Sequence, residues 1–159
     1  MEKTVNEKKK HYRTVRAYSS RVGKFKNKNT VRDFNFTIDE PEKLGGTNDA
    51  PTPMEYILGS FNGCILIVIE MVATEVHFSF SNLSAETHGE LDRRGLAGMA
   101  DVSPHFHSVK NKVIIETNES TEAIEELKGI VKQRCPAYNL FHDTGIEIEL
   151  DWKKTKTAD

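Results

Sequence analysis

Residues 44–71 read LGGTNDAPTPMEYILGSFNGCILIVIEM, and this stretch decides the fold. Its first ten positions hold two glycines and two prolines, which neither a helix nor a strand accommodates. Pro53 suits the first position of a helix, where its missing N–H costs nothing, and Thr52 is a candidate N-cap. Beyond Pro53, apolar residues recur at helical spacing and also fill most of the remaining positions, as in a buried helix. We predict a long helix from about Pro53 to Glu75 with Cys64 near its middle.

The length and composition fit one domain. The chain has 159 residues, of which 37% are hydrophobic and 29% are charged. A chain of this length can bury roughly two-thirds of its unfolded surface. We predict a disordered basic tail at residues 1–10, a single domain at residues 11–153 and a polar tail at residues 154–159.

Charge is distributed unevenly along the chain. Residues 1–32 carry eleven Lys or Arg against two Glu, whereas residues 33–159 carry eleven against twenty-two Asp or Glu. A basic arm can bind nucleic acid or an anionic surface. Because few aromatic residues alternate with these charges, we favour a solvated tail that leads into a charged hairpin, and we expect no nucleic-acid partner.

The sequence predicts a cytoplasmic protein without a membrane span. Residues 1–13 are polar, unlike a signal peptide. The unbroken apolar run of the central helix is only Ile65–Ile69 and ends at Glu70, whereas a bilayer requires about 20 residues. In the cytoplasm thiols stay reduced, so a paired use of the two cysteines would be catalytic or redox-sensing.

The remaining elements alternate in an irregular order that is typical of an α+β fold. Strands with period-two patterning are predicted at residues 11–19, 31–38, 78–92, 107–117 and 146–152. A second helix is capped by Ser120 and ends before Pro136, and a helical turn follows at residues 137–142. We therefore predict antiparallel sheets packed on a long buried central helix and a second helix. Since so small a chain cannot cover the first helix on all sides, we expect a symmetric homodimer.

The two cysteines are the main chemical question. Each could be a small buried hydrophobe, or the pair could form a dithiol centre. Cys135 precedes Pro136, which would make it the N-cap of the short helix, and helix N-termini lower the pKa of a thiol. Cys64 lies several turns inside its helix, so it would need a nearby cation or hydrogen-bond donor to exist as a thiolate.

Other sites are poorly supported by the sequence. His105 and His107 would share one strand face, but no third ligand has matching spacing. The chain has no phosphate-binding glycine motif and no serine-hydrolase elbow. We predict neither a metal nor a cofactor.

Taken together, the motifs resemble those of the OsmC/Ohr family of peroxiredoxin-like proteins. The resemblance covers roughly Val31 to Trp152, and its motifs are Asp39-Glu40-Pro41, Leu44-Gly45-Gly46-Thr47-Asn48, Pro51–Ser60, Asn62-Gly63-Cys64 and Arg134-Cys135-Pro136. It implies an OsmC-like fold and an intertwined homodimer with the central helices at the interface. The sequence resembles a less characterised branch more than either well-defined peroxidase branch.

The resemblance also implies thiol peroxidase chemistry. Cys64 would attack the O–O bond of a small organic hydroperoxide, and Cys135 would then form a disulfide with it that an external dithiol reduces. The organic-hydroperoxide branch adds a Glu and an Arg. Met54 stands where that branch has its Glu, so Glu55 is the nearest carboxylate, and Arg21 lies about where the branch has its Arg.

Two other functions remain open. One is a non-catalytic protein on the same fold that binds a small ligand or senses redox state through the thiols. The other is a nucleic-acid-associated module that uses the basic arm. Steady-state turnover with a dithiol reductant separates an enzyme from a sensor, because a sensor is oxidised once and stops.

Overall fold

The computed structural model of the chain describes residues 11–157. The predicted basic tail, residues 1–10, and the last two residues of the predicted polar tail lie outside that range. The chain divides into two compact units with a boundary between Glu55 and Tyr56. The single domain expected over residues 11–153 stays a prediction.

The first unit is a three-stranded antiparallel meander of β1 (Tyr18–Gly23), β2 (Lys26–Val31) and β3 (Phe34–Ile38). The first strand begins at Tyr18 and not at the predicted residue 11. The polar residues 22–24 and 27–29 indicate a turn in the sequence: the chain does turn after Gly23, but the Asn-rich residues 27–29 belong to β2, where Asn29 is buried. Asn29 accepts a hydrogen bond from Ser19 Oγ (2.6 Å) and donates one to Asn27 Oδ1 (2.8 Å).

The loop after β3 is organised around the buried carboxylate of Asp39. This carboxylate accepts hydrogen bonds from Thr47 Oγ1 (2.6 Å) and from the amides of Glu40 (2.8 Å) and Asp49 (3.0 Å). The Thr47 hydroxyl and these amides hold the pKa of Asp39 far below its usual range, although burial opposes them. The glycine- and proline-rich loop therefore has a polar centre.

Helix α1 (Pro53–Val76) follows that loop and confirms the predicted helix. Its start is a reciprocal capping box: the Glu55 amide donates to Thr52 Oγ1 (3.3 Å), and the Thr52 amide donates to Glu55 Oε2 (2.7 Å). The core face consists of Phe61, Ile65, Val68, Ile69, Val72 and Ala73. Four large apolar side chains of α1 are exposed in the single chain, as expected for a helix that so small a chain cannot cover on all sides: Ile57, Ile67, Met71 and Val76.

By length and composition, α1 could cross a bilayer, and one-third of its most apolar stretch is buried in the structure. The core helix of a soluble protein meets the same criterion, so a single such helix is weak evidence for a membrane protein.

The second unit contains a mixed sheet in the order β4 (Asn82–Leu91), β5 (Phe106–Glu116) and β6 (Glu147–Thr155). Strands β4 and β5 pair in an antiparallel manner, as predicted, whereas β6 lies parallel to β5. The expectation of only antiparallel pairs was therefore wrong for β6. Two helices connect β5 to β6, and such a crossover returns the chain in the same direction. β6 also extends two residues beyond the predicted domain end at residue 153.

Three further helices belong to the second unit. The predicted loop after β4 includes a short helix, α2 (Arg93–Leu96). Helix α3 (Thr121–Arg134) is capped as predicted, since Ser120 Oγ accepts from the Ala123 amide (3.1 Å). Helix α4 (Pro136–His142) follows immediately, so only Cys135 separates α3 from α4.

Candidate active site

The structure brings the two thiols together. Cys64 lies in the middle of α1, and Cys135 lies at the junction of α3 and α4. Their Sγ atoms are 3.7 Å apart, although the residues are 71 positions apart in the sequence. Both cysteines are free thiols. This proximity favours the dithiol interpretation over that of two unrelated buried hydrophobes.

Local backbone geometry fixes Cys135 at the junction. Its amide donates to the Val131 carbonyl (2.8 Å) at the end of α3. Its Sγ accepts from the Tyr138 amide (3.4 Å), so the thiol caps α4 as the sequence predicted. Pro136 occupies the first turn of α4, where no backbone donor is required. One residue therefore ends one helix and begins the next.

The two thiols differ in accessibility and in acidity. Cys64 is partly exposed, whereas Cys135 is fully buried. Burial raises the pKa of the Cys135 thiol to about 11; the Tyr138 amide acts in the opposite direction, and Cys64 adds a further upward contribution. Desolvation thus outweighs the helix N-terminus that we had expected to lower this pKa. Cys135 keeps its proton and donates it toward Cys64 Sγ.

An aromatic cluster connects α1, α4 and β5. Phe61, one turn before Cys64 on α1, contacts Phe141 of α4 with ring centroids 5.2 Å apart. Phe141 also contacts Phe106 of β5 at 6.2 Å. A Cβ at Gly89 would come within 2.6 Å of the Phe106 ring, so glycine is needed there. Phe106 and Phe141 belong to no sequence motif, so the sequence alone does not mark them as part of the site.

A partly buried polar triad fixes the helical turn that precedes Cys64. Thr87 Oγ1 donates to Asn62 Oδ1 (2.6 Å), and Asn111 Nδ2 donates to Thr87 Oγ1 (2.7 Å) and to Asn62 Oδ1 (3.2 Å). The triad ties α1 to β4 and β5. Asn111 is fully buried on the apolar face of β5, and its Oδ1 has no partner within residues 11–157. The only sequence signal for this residue is that a polar side chain interrupts the apolar pattern of β5.

An ion pair also connects the elements that carry the thiols. Arg134, the residue before Cys135, donates through Nη2 to Glu75 Oε1 (2.9 Å) and through Nη1 to Glu75 Oε2. Glu75 lies near the end of α1. The Arg134 guanidinium lowers the pKa of Glu75, and the Glu75 carboxylate raises that of Arg134.

The other two predicted site residues lie in the first unit. The Glu55 carboxylate accepts the Thr52 amide in the capping box. Arg21 pairs with Asn27 across β1 and β2 and is exposed, beside a shallow depression of about 490 Å³. Within residues 11–157, Arg21 and Glu55 share no hydrogen bond or ion pair. The same residues contain no group of three or more His, Cys, Asp or Glu side chains that could hold a metal.

A family model for OsmC-like proteins matches residues 46–151, which include both cysteines. The chain belongs to the OsmC-like family. No curated protein matches it significantly.

Solved structures share the OsmC-like fold at low sequence identity. An OsmC-like protein from Mycoplasma pneumoniae has a TM-score of 0.76 and 16% identity over 92% of this chain and 99% of its own. An organic hydroperoxide resistance protein from Legionella pneumophila, also described as a predicted redox protein, has a TM-score of 0.69 and 19% identity over 89% and 97%. Another organic hydroperoxide resistance protein, from Elizabethkingia anophelis, has a TM-score of 0.67 and 18% identity over 92% and 99%.

Proposed function

We propose that this protein is a thiol-dependent peroxidase that reduces small organic hydroperoxides through a Cys64–Cys135 dithiol–disulfide cycle. The observation that carries the proposal is the 3.7 Å separation of an accessible and a buried sulfur. Membership in the OsmC-like family and the names of two structural neighbours, which are organic hydroperoxide resistance proteins, support it.

Cys64 is the attacking sulfur in this proposal, because it is the accessible member of the pair. Its thiolate attacks the terminal oxygen of the hydroperoxide, the O–O bond breaks, and the products are a Cys64 sulfenic acid and an alkoxide that takes up a proton as the alcohol. The Cys135 thiol, whose proton points toward Cys64 Sγ, stabilises negative charge on that sulfur before the attack.

Cys135 is the resolving sulfur. It displaces hydroxide from the Cys64 sulfenic acid, and the hydroxide leaves as water with the Cys135 proton. The product is a Cys64–Cys135 disulfide. An external dithiol then reduces this disulfide by exchange and is itself oxidised to a disulfide. The cycle needs no cofactor.

Glu55 and Arg21 are auxiliary groups in the proposal, as the family resemblance implies. The Glu55→Gln variant tests this role, because glutamine can still accept the Thr52 amide but carries no charge. A fall in peroxide turnover with unchanged helix content would support a catalytic carboxylate. Unchanged turnover would leave Glu55 with its capping role alone.

We also propose a homodimer in the cytoplasm, in which a second copy covers the exposed apolar face of α1. The support is that Ile57, Ile67 and Met71 are 44%, 60% and 51% exposed on a helix whose opposite face is the core. Light scattering of the wild type and of Ile67→Asp tests the homodimer. A wild-type monomer at micromolar concentration would contradict it.

The decisive experiment for the peroxidase is alkylation and mass spectrometry before and after one equivalent of cumene hydroperoxide. The wild type should form the Cys64–Cys135 disulfide, and Cys135→Ser should accumulate a sulfenic acid on Cys64. Cys64→Ser should consume no peroxide. If both wild-type thiols stay free after peroxide treatment, the peroxidase proposal fails.

A redox sensor on the same fold is the second candidate. It is favoured by the capping box, which already uses the carboxylate of Glu55. Turnover separates the two functions: with excess dithiol, an enzyme consumes many equivalents of peroxide, whereas a sensor consumes about one.

A further inference from the structure

We propose that the Arg134–Glu75 ion pair is a positioning clamp that holds Cys135 against Cys64 and raises the stability of their disulfide. This inference rests on the proposed Cys64–Cys135 cycle. Neither charged residue touches a sulfur, so both would act through the position of Cys135.

The clamp joins the two elements that carry the thiols. Glu75 and Cys64 belong to α1, and Arg134 is the residue directly before Cys135. Cys64 and Glu75 are separated by about 16 Å along the helix axis, at a rise of about 1.5 Å per residue. The sulfur contact and the ion pair are therefore separate connections between α1 and the α3–α4 junction. Two separated connections restrict sliding and rotation of the junction, which a single contact does not.

The geometry of the pair suits this role. Nη1 of the guanidinium donates to Oε2 of the carboxylate and Nη2 donates to Oε1, and this fork arrangement fixes orientation as well as distance. The side chains of Arg134 and Glu75 are 38% and 53% exposed. An exposed pair contributes little to global stability, so its effect should appear in the local position of Cys135 rather than in folding.

Arg134 is a poor candidate for direct activation of a thiol. The causes of the raised pKa of Cys135 are burial and Cys64, with the amides of Tyr138 and Ala137 acting in opposition. Arg134 is not among them, and its guanidinium is engaged by Glu75. Its effect on Cys135 would therefore come through the position of that residue.

Positioning has a thermodynamic consequence for the disulfide. A junction held beside Cys64 loses less freedom when the S–S bond forms, so the effective concentration of one thiol at the other is higher. The reduced protein would form its disulfide less readily without the clamp. The equilibrium constant against a reference dithiol measures this effect, and it does not require peroxidase activity.

The test uses full-length protein equilibrated in mixtures of reduced and oxidised dithiothreitol, followed by alkylation and mass spectrometry. Glu75→Gln and Arg134→Gln should each lower the equilibrium constant for the disulfide by about threefold to fivefold, the upper part of the range for an exposed ion pair. The double variant Glu75→Arg/Arg134→Glu, which reverses the pair, should recover most of the loss. In wild type, molar salt should reproduce part of the loss, but it should not do so in Glu75→Gln.

Lys110→Gln is the matched control. The Lys110–Glu149 pair has a similar exposure (53% and 56%) and a distance of 2.9 Å, but it joins β5 to β6. Loss of this ion pair should change the equilibrium constant for the Cys64–Cys135 disulfide by less than about twofold relative to the wild type, as expected for an independent site. Circular dichroism confirms that each variant is folded.

The outcomes separate this inference from the peroxidase proposal. Three results would each overturn the clamp. The equilibrium constant for the disulfide could stay unchanged in Glu75→Gln and Arg134→Gln, it could fall equally in Lys110→Gln, or the wild type could form no disulfide. If the constants fall as expected but the wild type does not turn over peroxide, the clamp stands and the peroxidase proposal fails. If Cys64 oxidation is fast in all variants and its sulfenic acid persists longer in Glu75→Gln, both are supported.

Discussion

The two units of this chain are stabilised in different ways. Among residues 11–55, the buried side chains are polar, Asn29 and Asp39. Residues 56–157 instead contain sixteen buried apolar side chains, most of them from α1, the sheet, α3 and α4. The first unit therefore depends on directional hydrogen bonds and the second on packed volume. Loss of one polar atom should disturb the first unit most, and loss of volume should disturb the second.

Phe61→Ala, a substitution in the second unit, should give the largest loss of stability. Phe61 is fully buried and contacts Phe141, so its removal leaves a cavity that lowers the free energy of unfolding by about 3–5 kcal/mol. Urea denaturation measures this loss. Phe34→Ala is the control, because Phe34 is 63% exposed in the first unit and should change stability little. Equal losses in the two variants would contradict the comparison.

Thr87→Val tests whether the second unit also depends on a polar contact. Valine keeps the shape of threonine, but it leaves Asn62 and Asn111 without the hydroxyl that both contact. We expect a loss of about 1–3 kcal/mol in urea denaturation, typical of buried polar groups that lose a partner. Thr87→Ser, which keeps the hydroxyl, should lose less. If valine stabilised the protein, the triad would be dispensable for folding.

Asp39→Asn should act on the first unit alone. The amides of Glu40 and Asp49 donate to the Asp39 carboxylate, and loss of its charge should speed their hydrogen exchange by about tenfold. Amides of β5 serve as the internal control and should keep their exchange rates. Faster exchange throughout β5 would show that this carboxylate stabilises both units.

The same carboxylate predicts a pH dependence. Because hydrogen bonds lower the pKa of folded Asp39, its stabilisation is fully present above the usual Asp pKa of about 4 and is lost as the pH falls toward the lowered value. Amide chemical shifts of Thr47 and Asp49 should therefore stay constant from pH 7 to about pH 4 and change below it. A midpoint near the usual Asp pKa would contradict the hydrogen-bonded geometry.

Local signals in the sequence predicted the elements of the second unit well. The bounds of α1 and β5 agree with the predictions within one residue, and Ser120 and Cys135 are the predicted caps. These features depend on periodicity, proline and short side chains over a few positions. The Asn-rich strand β2 was missed because its pairing partners, β1 and β3, override weak local propensity.

The candidate site was less predictable, because its contacts are distant in sequence. The residues alone left open whether Cys64 and Cys135 form a dithiol centre, and the family resemblance implied that they do, since spacing alone cannot place residues 71 positions apart in contact. Local sequence patterns likewise do not predict the hydrogen-bond partners of Arg134 and Asn111. The pKa of Cys135 was also not predictable from local sequence. The position of Cys135 as a helix cap was predictable, but the burial that dominates the pKa of its thiol was not.

Ser120→Ala should give the smallest loss of stability among these variants, and it refines the comparison between the two units. The Ser120 hydroxyl accepts the Ala123 amide, and its loss should lower the free energy of unfolding by about 1 kcal/mol. Ile124, Leu127 and Val131 are buried and keep α3 in place, so faster exchange should be limited to its first turn. Ser120→Asp should retain the cap. The buried apolar residues of α3 should thus keep the helix formed when its cap is lost, and faster exchange throughout α3 would show that the cap rather than packing holds this helix.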